Sequence, residues 1–99
     1  MAIAMVQEFE VDADDRSTSN YDGVQALLKV NSDVPAGLLL HTAGFTGTGL
    51  FRIFGVWESE QDWQRFREER LMPAVAPLMA SGARAPTEYT YELHDLFQP

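Results

Sequence analysis

The sequence predicts an α+β fold of the ferredoxin-like type: an antiparallel four-stranded sheet in the order βαββαβ, with both helices on one face. Three observations predict it. Four segments read as strands, two carry apolar residues at helical spacing, and the third strand is bulky on both of its faces. The 99 residues, 45% of them apolar, suffice for one core and leave no room for another, so 1–99 is read as a single domain.

Residues 2–11, AIAMVQEFEV, open as an apolar run and then alternate, as a strand does when its first half is buried on both faces. An acidic connection follows. Beyond it Tyr21, Val24, Leu27, Leu28 and Val30 recur at helical spacing, predicting a helix over 18–31 in which Gly23 costs roughly 1 kcal/mol against alanine. Pro35 and Gly37 mark a turn into a second strand at 37–45, and TGTG at 46–49 reads as a hairpin loop. The third strand, 50–58, holds Leu50, Phe51, Ile53, Phe54, Val56 and Trp57 on odd and even positions alike. Ser59 and Asp62 then resemble a capping box, and Trp63, Phe66, Leu71, Val75 and Leu78 form the apolar stripe of a second helix. Pro73 predicts a break or kink near Met72, with a continuation to about residue 80 closed by Pro77 and Gly82. The alternation of TEYTYELHDLF predicts a last strand over 87–97.

Two helices cover only one face of such a sheet. The other face, mostly apolar in strands one and three, exceeds what a monomer usually exposes, so a homodimer formed sheet to sheet is expected.

Composition excludes several classes. There is no cysteine, hence no disulfide, thiolate metal site or cysteine nucleophile. The formal charge of −8 argues against nucleic acid as a partner. No basic residue precedes the apolar start and no segment is long enough to span a bilayer, so neither a signal peptide nor a membrane association is expected, and the location is read as cytoplasmic. GFTGTG at 44–49 lacks the spacing of a phosphate loop and joins two strands, which favours a hairpin. DADD at 12–15 begins like a calcium loop, but Ser17 stands where glycine is required and the closing glutamate is missing, so a solvated acidic turn is expected. Arg65, Arg67, Glu68, Glu69 and Arg70 read as a solvated helix face with weak pairs such as Arg65–Glu69.

Five residues stand out as candidates. His41 lies mid-strand among apolar neighbours; its ordinary pKa suits proton transfer, while a neutral imidazole bonded within the core is the bland alternative. Arg52 is the only basic residue on an expected strand, and either anchors an anionic or phenolate ligand or forms a salt bridge across the dimer. Phe54, Trp57 and Tyr91 offer aromatic surface for a substrate, or simply core. Gly55 leaves room over the sheet for a ligand or a large side chain. His94 is placed on the polar face of the last strand, where only a dimer would bring it to His41, and no metal site is assigned.

The opening AIAMV, Tyr21-Asp22, PAGLLLHTAG at 35–44, VWES at 56–59, and then Trp63, Phe66 and Leu71-Met72-Pro73 resemble the dimeric α+β barrel superfamily, best known for antibiotic-biosynthesis monooxygenases, and within it short actinobacterial members. The resemblance implies a cavity between sheet and helices. It also implies activities ranging from cofactor-free oxygenation of polycyclic phenols through isomerisation and haem degradation to stress-related roles. Haem-degrading relatives place an iron-binding histidine on the second helix, whereas 63–79 contains none, and Gln7 stands where similar sequences carry histidine. No cofactor is therefore expected. Two functions stay open: a cofactor-free monooxygenase-like or isomerase-like enzyme on an aromatic or polyketide-type substrate, with His41 moving the proton, and a non-catalytic dimeric binding, accessory or stress-related protein.

Overall fold

Alternation, turn residues and caps produce the expected order in the computed structural model, which describes residues 1–11 and 17–99. The elements are β1 (Ile3–Glu10), α1 (Ser19–Leu28), β2 (Leu38–Phe45), β3 (Leu50–Trp57), α2 (Glu60–Phe66), α3 (Met72–Ala80) and β4 (Thr87–Glu92), with a widened helical turn at Arg67–Leu71 joining α2 to α3. The strands lie β2-β3-β1-β4, every neighbouring pair antiparallel. The α+β, ferredoxin-like architecture read from the sequence is thus the architecture of the chain. The acidic segment read as a solvated turn lies outside the described residues.

β1 and β3 occupy the middle of the sheet, which is why both are apolar on two sides. Ile3 to Val6 are all buried. Strand side chains alternate between faces, so the register of β1 on β3 divides them cleanly. Ile3, Met5, Gln7 and Phe9 share the inner, helix-covered face with Trp57, Gly55, Ile53 and Phe51. Ala4, Val6, Glu8 and Glu10 share the outer face with Val56, Phe54, Arg52 and Leu50. Trp63 and Phe66 from α2 and Leu28 from α1 close over the inner face and complete the core.

Local chemistry sets the boundaries, and several differ from expectation. α1 stops at Leu28, not residue 31, because Lys29 adopts the left-handed conformation (φ 54°) and its carbonyl takes the amides of Ser32 and Asp33 in a turn. α2 starts as expected: the Asp62 amide donates to Ser59 Oγ and the Ser59 hydroxyl donates back to Asp62 Oδ2. Gly37 packs against that helix start at φ 87°, where an added Cβ would collide with the Asp62 side chain, so the turn requires glycine.

Pro73 does not break the second helix. The turn before it widens, with the Met72 amide reaching back to the Arg67 carbonyl, and this five-residue spacing absorbs the ring's demand for room. Gly82, at φ 95°, ends α3 as its amide finds the Met79 carbonyl. β4 ends at Glu92 instead of residue 97, since β1 offers no partner beyond Ile3 and one last bond from the Leu93 amide to the Ala2 carbonyl. His94 consequently lies past the strand, exposed.

The helix arginines depart from the solvated face that was expected. Arg65 pairs with Asp62 and not Glu69, at 3.3 Å. Arg67 bonds Glu88 of β4, and Arg70 donates to the Leu28 and Asp33 carbonyls while lying over the Phe66 ring, so these two tie the helix to the sheet and to the end of α1. No described helix is long and apolar enough to cross a membrane.

Candidate functional site

A register irregularity decides where His41 points. Leu38 faces Trp57 across β2 and β3, but Leu40, not Leu39, faces Val56, and His41 then faces Gly55. Without the extra residue His41 would oppose Phe54 on the outer face; the bulge turns it to the inner one. Gly55 opposite has no side chain to obstruct it. The Trp57 indole lies over that glycine, its Nε1 3.3 Å from where a Cβ would stand. The space Gly55 leaves is therefore shared by the imidazole and the indole.

From the first turn of α1, Tyr21 reaches His41: Oη and Nε2 are 2.9 Å apart, and the two rings are parallel within 3°. Phe51 meets the Tyr21 ring edge to face at 5.2 Å and holds it in place. Burial disfavours the charged form of each partner. It lowers the His41 pKa from its ordinary value, and burial, helped by the Asp22 carboxylate, raises that of Tyr21. At neutral pH the pair is an uncharged imidazole beside an intact phenol. Tyr21 was absent from the sequence candidates because a tyrosine at helical spacing reads as core until its partner on β2 is known.

These residues line one wall of a cavity of about 470 Å³ between the inner face and the helices. Trp57, Trp63 and Phe66 form an aromatic cluster on another wall, with ring centroids 5.2–6.2 Å apart. Val24, Leu71 and Val75 add aliphatic surface. Trp57 Nε1 is buried without a hydrogen-bond partner among the described residues, a condition that costs about 1–3 kcal/mol. On the β4 side of the same cavity Gln7, 7% exposed, donates through Nε2 to Glu88 Oε2 at 2.7 Å, and Arg67 Nε donates to Glu88 Oε1 at 2.8 Å. Among the described residues no group of three metal-binding side chains occurs.

The structure divides the five sequence candidates. His41 and Trp57 line the cavity. Arg52, Phe54 and Tyr91 do not, so of the alternatives drawn from the sequence, Arg52 as a ligand anchor and Phe54 and Tyr91 as substrate surface do not apply to this cavity. They project from the outer face, Phe54 and Arg52 in register with Val6 and Glu8, and Tyr91 in register with Ala4. Arg52 has a partner in its own chain: Nε and a terminal nitrogen both bond Glu8 Oε2, at 2.9 and 2.6 Å.

No family model matches the chain, and no curated protein does. Solved structures do. Rv0793 from Mycobacterium tuberculosis superimposes with a TM-score of 0.73 at 13% identity, covering 99% of this chain and 100% of that one. SnoaB from Streptomyces nogalater, a cofactor-independent oxygenase, gives 0.63 at 14% identity over 99% and 98% of the two chains. A protein from Chloroflexus aurantiacus assigned to the antibiotic biosynthesis monooxygenases gives 0.64 at 13% identity over 99% and 98%. At such identities the likeness establishes fold, and the antibiotic-biosynthesis-monooxygenase-like fold expected from the sequence is the fold found.

Proposed function

We propose that this chain, folded like the antibiotic biosynthesis monooxygenases, works as a homodimer that takes an aromatic or polyketide-type small molecule into the inner cavity. His41 removes a proton from it in cofactor-free oxygenation or isomerisation. The observation that carries the reading is the uncharged Tyr21–His41 pair on the wall of a largely apolar cavity. A neutral imidazole at pH 7 is a competent base, and a phenol or enol giving it a proton becomes an electron-rich oxyanion beside an imidazolium. In an apolar space the two opposite charges together cost less than either alone. In the tautomer where His41 Nε2–H donates to Tyr21 Oη, the Tyr21 hydroxyl, which keeps its proton, is free to donate to that oxyanion while Nδ1 acts as the base. In oxygenation the deprotonated ring is the reductant and dioxygen the oxidant; in isomerisation the proton returns to a different atom.

The dimer rests on the outer face. Leu40, Tyr89 and Tyr91 are 46–48% exposed there, around buried Val6 and Val56. A second copy of the same face is the simplest cover.

The test combines melting curves with mass spectrometry in air, using a series of mono- and dihydroxynaphthalenes. Raised melting temperature with product in the wild type, and retained stabilisation without product in His41→Ala, is the expected result. Stabilisation with no product from any compound would make the chain a binding protein. An unmoved melting temperature throughout would remove the cavity from the account.

A further inference from the structure

We infer that Gln7 is the specificity-determining contact at the far end of the cavity, its carboxamide oxygen accepting a hydrogen bond from a neutral hydroxyl or N–H of the ligand. The inference rests on the reading that the cavity holds a small aromatic molecule. Gln7 is more than nine-tenths buried. A carboxylate only accepts, so the 2.7 Å contact with Glu88 Oε2 identifies the bonded atom of Gln7 as its NH₂ nitrogen and fixes the amide orientation. Oε1 must then turn away from Glu88. Among the described residues it has no hydrogen-bond partner, and it is not sealed from the cavity in the way that Trp57 Nε1 is. A buried amide oxygen left open beside a cavity calls for a donor.

The arrangement is braced from behind. Glu88 faces Gln7 directly across the β1–β4 register, and its second oxygen is held by Arg67 at the start of the widened turn. Arg67 and Glu88 are thus positioning residues that set the amide. Among the described residues both arginines that line the cavity are already committed to carboxylates, Arg67 to Glu88 and Arg84 to Glu10, and an anionic group at this end would face both Glu88 and the amide oxygen. The ligand group is accordingly a protonated hydroxyl, enol or N–H.

Gln7 and His41 mark two ends of one space. His41 stands in the row of Gly55 and Met5, and Gln7 lies two residues further along β1. Two strand spacings across and two residues along separate their backbones by roughly 12 Å. Two fused rings with one polar group at each end bridge that span once both side chains reach inward.

The probes are 2,6-dihydroxynaphthalene and 6-methoxy-2-naphthol, which share one hydroxyl and differ in whether the other end has a proton to donate. Calorimetric titration of the wild type is expected to favour the diol about tenfold, the size of one hydrogen bond. In Gln7→Leu, and in Gln7→Met should the leucine variant fold poorly, the two probes are expected to bind within about twofold of each other. Equal binding by the wild type, or a preference that survives both variants, would overturn the inference while leaving the cavity as the binding site. Binding of neither probe would remove the cavity reading, and this inference with it.

Discussion

The two faces of the sheet are made from the same strands and solve opposite problems. On the inner face large aromatic residues are roofed by helices yet leave about 470 Å³ between them, with polar side chains at both ends of the space. On the outer face the side chains form a broad apolar surface crossed by one in-register ion pair, Glu8–Arg52. A cavity with sparse, directed polar groups suits a small molecule. A broad apolar surface without one suits another protein surface. On the function proposed above, chemistry belongs to one face and assembly to the other, residue by alternate residue.

Trp63 offers the strongest way to break that division from the inside. It is 1% exposed and touches both Trp57 and Phe66, so Trp63→Ala is expected to cost about 3–5 kcal/mol in urea unfolding and to abolish ligand stabilisation. A loss below about 1 kcal/mol would mean that the aromatic wall does not hold the helices to the sheet. The outer face is probed by replacing Leu40 and Tyr91 together with arginine. Light scattering should then give 11.1 kDa in place of twice that mass, with the fold retained. An unchanged mass for the variant would place the interface elsewhere.

Tyr21→Phe sharpens the comparison at the site itself. Losing the hydroxyl leaves His41 Nε2 without its partner, and a stability loss of about 1–2 kcal/mol is expected by urea titration, with no change in molar mass. The smallest effect is in pH dependence. The folded pKa of His41 lies below its ordinary value of 6.5, so below that value the unfolded chain binds the proton more readily than the folded one. Wild-type stability should fall between pH 7 and pH 5 more steeply than that of His41→Gln. Parallel curves would show that His41 takes up its proton as easily folded as unfolded. Tyr21 acts at the other extreme: its raised pKa means that stability declines as pH rises past 10, where only the unfolded chain releases the proton.

Much of this was legible in the sequence, for reasons that can be located. Element order followed from alternation and turn residues, and the burden on both faces of β3 was visible in its bulky odd and even positions. Even the split of the candidates was partly within reach, because Arg52 and Phe54 differ in parity from Trp57 on one strand and so must face the other way. What stayed hidden depends on contacts between distant segments. The bulge at Leu39 reverses His41 without any glycine or proline to announce it. Arg67 and Arg70 look like solvent-facing charges until Glu88 and the end of α1 arrive beside them. Gln7 looks like a lost histidine until Glu88 orients its amide.

The most direct test of the division between faces is chemical-shift mapping of the ¹⁵N-labelled protein during titration with 2,6-dihydroxynaphthalene. The expected result is movement of Tyr21, His41, Gly55 and the Trp57 indole, with Phe54, Tyr89 and Tyr91 unmoved. Shifts confined to those last three would place the ligand on the outer face and contradict the account.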